Sequence, residues 1–123
     1  FWMPFAPVII ADYSDKLLVN PKNLQSPHMT IAMDTLDGKN VIPAAVHQYD
    51  GTARPLILEK NTNSLVWDVI NSFYQKTDIP ALVNTSFNLH GEPMVDSFND
   101  ALHVFENSGL DSLWIDNHII DKK

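Results

Sequence analysis

Residues 61–83, NTNSLVWDVINSFYQKTDIPALV, decide the fold class. The polar run at 61–64 supplies N-cap side chains, so we predict a helix from Leu65 to Lys76. Pro80 then begins an apolar, buried strand at 81–83. A capped helix that leads into a buried strand indicates an α/β or α+β protein. Apolar side chains cover an arc of about 200° of the helix and predict its core face: Leu65, Val66, Trp67, Val69, Ile70, Phe73 and Tyr74.

Outward from this stretch, short apolar runs alternate with polar, turn-forming segments. They predict a twisted mixed sheet with flanking helices, in a single domain spanning 1–123. Strands are expected at 28–34, 44–47, 56–58 and 94–95, with a closing hairpin at 113–120. Short helices are expected at 8–19 and from the Ser97 cap to Gly109, and Asp37-Gly38 is expected to form a turn.

Composition excludes several classes of protein. The 123 residues carry a net charge of −7, which argues against binding to a nucleic-acid backbone. There is no cysteine, so disulfides, thiol nucleophiles and Cys-ligated metals are excluded. No apolar run approaches the roughly 20 residues of a membrane span, and we expect a cytoplasmic protein that does not bind membranes.

The first residues, FWMPFAP, are aromatic and apolar. Native N-termini are usually polar and mobile, so we expect this chain to be part of a longer one. Sheet strands missing upstream would leave an open edge or an apolar patch, which predicts a homo-oligomer.

Two polar loops, 47–54 and 84–93, are the candidate ligand sites. Gly51 and Gly91 allow the backbone to approach an anion closely. Arg54, the only arginine, offers a forked donor for phosphate. The alternative is that these residues only cap turns and satisfy loop backbone. Further donors and acceptors in the loops are His47, Asp50, Thr52, Asn84, Thr85, Ser86, Asn88, His90 and Glu92.

Other chemistry is weakly supported. The five histidines never fall at metal-ligand spacings, so no metal site is predicted. Ser86 lacks the glycine elbow of a serine hydrolase. Asp50 and Glu92 offer an acid and a base, but nothing in their spacing is specific. Only His47 and His90 lie in the polar loops.

Four ordered segments carry a resemblance that covers nearly the whole chain: PFAP at 4–7, SPHM at 26–29, HQYDGTARP at 47–55 and NTSFNLHGEP at 84–93. They resemble the C-terminal domain of the carbamoyltransferases that act on nodulation factors and antibiotics. The stretches at 100–102 and 108–113 are similar to the end of that domain.

The resemblance implies a partial YrdC-like fold and a two-step chemistry. In such proteins this domain takes carbamoyl phosphate and ATP, with Mg²⁺, to a carbamoyl-adenylate. An N-terminal domain of the ASKHA type, with an iron-like metal, then transfers the carbamoyl group to a substrate hydroxyl. Neither that domain nor an arginine-rich segment upstream of this point in the family is present here, so we expect an incomplete enzyme that is inactive alone.

Carried over by position, the resemblance assigns the anion contact to Arg54, with His90 beside it as the second catalytic candidate. His90 stands where the family often has arginine. The remaining loop residues would line the pocket for carbamoyl phosphate and nucleotide: His47, Asp50, Gly51, Thr52, Asn84, Thr85, Ser86, Asn88 and Glu92.

Three functions remain open on the sequence. The first is the carbamoyl-adenylate-forming part of an O-carbamoyltransferase, used in biosynthesis. The second is a module that binds a nucleotide or carbamoyl phosphate without turnover. The third is an interaction domain whose loops are purely structural. A concavity shared by Arg54, Asn88 and His90 would exclude the third.

Overall fold

The computed structural model describes residues 5–20, 31–85, 87–89 and 91–122. The chain clusters into two compact units, Phe1–Thr85 and Ser86–Lys123. Its mixed α/β class agrees with the sequence. The helices are α1 (Gly38–Val41), α2 (Ser64–Thr77) and α3 (Phe98–Glu106), and the strands are β1 (Ala6–Ile10), β2 (Leu18–Val19), β3 (Met33–Thr35), β4 (Thr52–Ala53), β5 (Leu56–Leu58), β6 (Ala81–Asn84), β7 (Ser112–Ile115) and β8 (His118–Asp121).

The main sheet of the first unit has the order β5-β1-β6. β1 pairs parallel with β5 and antiparallel with β6, which makes the sheet mixed. Ile9 and Ile10 of β1 are fully buried. The helix predicted at 8–19 is therefore wrong: a strand, a short 3-10 helix at Ala11–Lys16 and β2 take its place. The β-branched run at 8–10 favours a pleated, buried strand over a helix.

A second small sheet has the order β2-β3-β4. The strand predicted at 28–34 is confirmed only at its end, since Met33 is buried in β3 and residues 28–30 lie outside the described ranges. Asp37 has a φ of 52° and is the N-cap residue of α1, so the predicted turn continues into one helical turn.

The strand predicted at 44–47 is also wrong. Residues Pro43–Ala45 form a 3-10 helix, in which the Ala45 N–H donates to the Ile42 carbonyl at 2.9 Å. Pro43 lacks an N–H and is suited to the first helical position, where it needs none. Val46 follows in extended conformation and is fully buried.

Helix α2 is confirmed close to its predicted ends. The Asn63 side chain accepts from the Val66 N–H at 3.2 Å, which caps the first turn. Asp78 ends the helix at a φ of 64° and donates its N–H to the Tyr74 carbonyl at 2.7 Å. Ile70 is fully buried and packs with Ile10 of β1. Only part of the predicted core face is buried.

The second unit combines α3 with the hairpin β7–β8, both predicted. Ser97 caps α3 by accepting from the Asp100 N–H at 3.1 Å. The helix ends at Glu106, before the predicted Gly109, and the Asn107 side-chain amide donates to the His103 carbonyl at 2.9 Å. The strand predicted at 94–95 does not form. The core of this unit contains Ala101, Phe105 and Leu113.

Within the described ranges, no helix is both long and apolar enough to cross a membrane.

Candidate functional site

The loop at 47–54 closes on itself through its backbone. The His47 N–H donates to the Thr52 carbonyl at 2.8 Å, and the Gly51 N–H donates to the His47 carbonyl at 2.7 Å. Gly51 has a φ of 75°, a conformation in which glycine avoids steric cost. Val46, which precedes the loop, and Ala53, near its end, are both buried. The turn is therefore held by both its own hydrogen bonds and the core.

Asp50 is committed to this turn. One of its carboxylate oxygens accepts from the Thr52 N–H at 2.9 Å and from the Thr52 hydroxyl at 2.8 Å. These bonds, the backbone one first, hold the pKa of Asp50 below its ordinary value. The carboxylate therefore stays ionised near neutral pH and acts as an acceptor that shapes the loop. Glu92 belongs to the second unit, so a pairing of the two as acid and base stays a prediction.

Three residues that the sequence argument missed support the loop. The Thr35 hydroxyl donates to the Gly51 carbonyl at 2.6 Å. The Lys39 ammonium lies 3.5 Å from the Tyr49 carbonyl, which places a second cation beside the loop. Gly38 is buried, and a Cβ there would overlap the Thr35 side chain. The signal in the sequence was the run at 37–39, a turn followed by a lysine.

Arg54 lies in the two-residue link between β4 and β5. Its side chain is exposed, while the following Pro55 is fully buried. Among the described residues, no carboxylate forms an ion pair with Arg54, including the nearby Asp50 and Glu59. The loop thus projects a guanidinium that the described acidic groups do not neutralise.

The second polar loop is divided between the two units. Asn84 ends β6 and Thr85 follows it, both exposed, in the first unit. Ser86 and His90 lie outside the described residues. The shared concavity expected for Arg54, Asn88 and His90 therefore stays a prediction.

In the second unit this loop bonds to itself. The Asn88 side-chain amide donates to the carbonyls of Leu89 and Glu92, both at 3.0 Å. Gly91 has a φ of 83° at the turn between them. The Glu92 carboxylate lies 3.5 Å from a ring nitrogen of His103, with both side chains about half exposed. The amide donors of Asn88 are thus used within its own loop, and the Glu92 carboxylate has a histidine of the same unit beside it.

The structure brings together His47, Asp50, Gly51 and Thr52, with Arg54 two residues on. Over the ranges that the structure describes, no three histidine, aspartate or glutamate side chains are grouped closely enough to hold a metal ion. The first loop has fixed backbone geometry and two cations at its edges, Lys39 and Arg54. Such an arrangement is suited to an anionic ligand.

The profile of the family described as "Carbamoyltransferase C-terminus" matches residues 1–122. The nodulation protein NolNO of Sinorhizobium fredii is 36% identical over 123 residues, which cover 99% of this chain and 18% of the relative. For the nodulation protein NolO of Bradyrhizobium diazoefficiens the identity is 34% over 123 residues, covering 99% and 22%.

An uncharacterised protein of Methanocaldococcus jannaschii is 38% identical over 122 residues, covering 99% of this chain and 23% of that protein. The chain thus spans about a fifth of the length of these curated relatives. The similarity runs from end to end of the chain and includes both polar loops. This protein belongs to the carbamoyltransferase C-terminus family.

Proposed function

We propose that this chain is the carbamoyl-activating part of an O-carbamoyltransferase. It binds carbamoyl phosphate and ATP; water releases phosphate from carbamoyl phosphate, and an oxygen of the resulting carbamate attacks the α-phosphorus of ATP, which releases pyrophosphate and leaves carbamoyl-adenylate. Another part of the enzyme then transfers the carbamoyl group to a substrate hydroxyl, with AMP as the leaving group. The observation that carries the proposal is the closed loop at 47–54, with Lys39 and Arg54 at its edges, in a chain whose net charge is −7.

Preorganised cations are what phosphate chemistry needs from a protein. Charge that develops on a transferring phosphoryl or adenylyl group is stabilised best by donors that are already in place. Arg54 offers a forked donor beside a buried proline, and Lys39 adds a point charge 3.5 Å from the Tyr49 carbonyl of the same loop. The hydrogen bonds of Asp50 to Thr52 keep the intervening backbone in one conformation.

Tyr49 supplies a surface for the nucleobase. Its side chain is 97% exposed at the tip of the same loop, an uncommon environment for an aromatic ring. Exposed aromatic rings stack well on bases. We assign the adenine of ATP to this ring, with the phosphates toward Lys39 and Arg54.

The family resemblance implies two metals, Mg²⁺ and an iron-type metal, and neither is assigned to side chains of this chain. Among the described residues, no three histidine, aspartate or glutamate side chains lie close enough together to hold an ion. We assign Mg²⁺ to the ATP phosphates, to which it binds well. The iron-type metal belongs to the transferase part of the enzyme. No step proposed for this chain uses a metal bound to its own side chains.

Arg54→Ala in the full polypeptide encoded by this reading frame tests the assignment. We expect the affinity for carbamoyl phosphate or ATP to fall about ten- to hundredfold, equivalent to about 1.5–3 kcal/mol for a lost charge-assisted bond. Arg54→Lys should recover only part of the affinity, since an ammonium cannot make the forked contact. Lys76→Ala, which removes one charge from the end of α2, is the matched control. Isothermal titration calorimetry gives the constants.

An unchanged dissociation constant for Arg54→Ala would overturn the role of this residue. Pyrophosphate release from ATP, dependent on carbamoyl phosphate, tests the reaction itself. Ligand binding by a folded, full-length protein without such release would instead support the alternative of a binding module without turnover.

A further inference from the structure

Helix α2 presents two parallel apolar stripes. One, which includes Val66 and Ile70, packs on the main sheet with Ile10 and Leu58. The other consists of Leu65, Val69 and Phe73, spaced four residues apart, so they lie on one side of the helix. These three side chains are 62%, 39% and 36% exposed, respectively. The second stripe is therefore apolar surface that the described structure leaves open.

A cavity of about 280 Å³ continues this surface. Phe73 lines it from α2, and Val83, which is 51% exposed, lines it from β6. Ile42 and Pro43 line it as well. We call the surface formed by Leu65, Val69, Phe73 and Val83 the α2–β6 face. None of the residues that line the cavity carries a charge.

The chemistry of this face identifies the type of occupant. Transient interfaces keep about the polarity of ordinary protein surface, whereas permanent interfaces resemble a domain core cut in half. An open apolar stripe that runs into an apolar cavity belongs to the second type. Such a face needs an apolar occupant that stays in place.

The relatives identify the source of that occupant. About four fifths of each relative lies outside the region that this chain matches. A segment joined to this chain by the backbone reaches the face at an effective concentration that a separate partner rarely attains.

We propose that the α2–β6 face binds an apolar segment from the remainder of the carbamoyltransferase polypeptide. This inference rests on the proposed function, because it requires the chain to act as part of such an enzyme. Phe73 and the cavity would receive the centre of the segment, and Leu65 would contact its edge. This contact would hold the transferase part of the enzyme in a fixed position relative to the loop at 47–54.

Site-specific photo-crosslinking in the full polypeptide tests the proposal. Val69→p-benzoylphenylalanine places the photoreactive group on the face, and Gln75→p-benzoylphenylalanine places it on the polar side of the same helix as a control. Mixing light and heavy isotope-labelled protein separates contacts within one polypeptide from contacts between two. We expect position 69 to cross-link within one polypeptide to a peptide outside residues 1–123, with a yield well above that at position 75.

Three results would overturn the proposal. Mixed-isotope products would show that a second copy covers the face, and products within 1–123 would show that this chain covers it itself. Equal yields at 69 and 75 would show that the face stays open. The cross-linking experiment does not depend on catalysis, and the Arg54 binding experiment does not depend on the cross-link. Failure of the proposed α2–β6 contact and failure of the proposed function are therefore distinguishable.

A stability measurement on the same full polypeptide provides a second readout. Val69→Asp would bury a carboxylate between the α2–β6 face and the bound segment, and we expect the Tm to fall by about 5 °C or more. Gln75→Asp adds the same charge on the polar side and should leave the Tm nearly unchanged. Equal Tm values for the two variants would contradict the proposal.

Discussion

The loop at 47–54 and the part of the second polar loop that lies in the second unit use their polar residues differently. In the first, the turn is held by backbone bonds and by Asp50 with Thr52, while Arg54 has no ion pair with a described carboxylate. In the second, the Asn88 side-chain amide donates to two carbonyls of its own loop, and the Glu92 carboxylate lies beside His103. A polar residue marks a binding site only when its donors and charge are not already used by its own surroundings.

Support from the core differs as well. In the first loop, Ala53 is buried, and so is Val46, which directly precedes the loop. The second loop rests on partly buried Phe87 and Val95, whose backbones are joined by one hydrogen bond of 2.9 Å. The first loop is therefore expected to be the more rigid of the two, which is what a preorganised anion site requires.

The largest loss of stability is expected from changing Gly38, which packs against Thr35, a residue that supports the first loop. Gly38→Ala would drive a Cβ into the side chains of Thr35 and Val46, so the free energy of unfolding should fall by about 1–3 kcal/mol. Gly109→Ala is the control, because a Cβ added there would meet no other atom within 4 Å, and it should change stability by about 0.5 kcal/mol or less. Urea denaturation followed by circular dichroism measures both. Equal losses would contradict the close packing at Gly38.

A matched pair of glycines separates loop shape from ligand binding. Gly51 and Gly91 both have positive φ, so each change to alanine should cost about 1–2 kcal/mol of stability. Only Gly51→Ala should also weaken binding of ATP or carbamoyl phosphate in the full polypeptide, since Arg54 follows that turn. Calorimetry on both variants tests this difference. If Gly91→Ala weakened binding equally, the second loop would have to be included in the site.

The smallest effect concerns the titration of Asp50. Thr52→Val removes the hydroxyl bond and keeps the backbone bond, so the pKa of Asp50 should rise part of the way toward its ordinary value. Because the folded-state pKa is lowered, this contribution to stability is present above the ordinary carboxyl value and is lost as the pH falls through the lowered one. Carboxyl-carbon NMR titration of both proteins measures the shift. An unchanged pKa would mean that the hydroxyl bond is not formed in solution.

Local patterns predicted the two longer helices well. Asn63 and Ser97 cap α2 and α3 as expected, because an N-cap bond involves only residues three apart in the chain. The hairpin β7–β8 was predictable for the same reason. The ordered motifs at 47–55 and 84–93 also led to the correct family.

Long-range packing decided what the patterns did not. The apolar run at 8–10 fits a helix or a strand, and only its place between β5 and β6 makes it the central strand β1. Likewise, Ile70 and its partly buried neighbours on the predicted core face of α2 lie toward the sheet, whereas Leu65, Val69 and Phe73 are exposed, since one sheet can cover only one side of a helix.

For the site, the sequence by itself determined which residue types were available: one arginine, two glycine-containing loops and a set of hydroxyl and amide donors. Only the tertiary structure decided which of them stay available to a ligand. Lys39 lies beside the first loop because α1 folds against it, a contact between residues 10 apart in the chain. The Asn88 side-chain amide is not available to a ligand because it donates to two carbonyls of its own loop. Hydrogen bonds that cross a turn or join two elements depend on where the backbone goes, and that is decided by packing of the core.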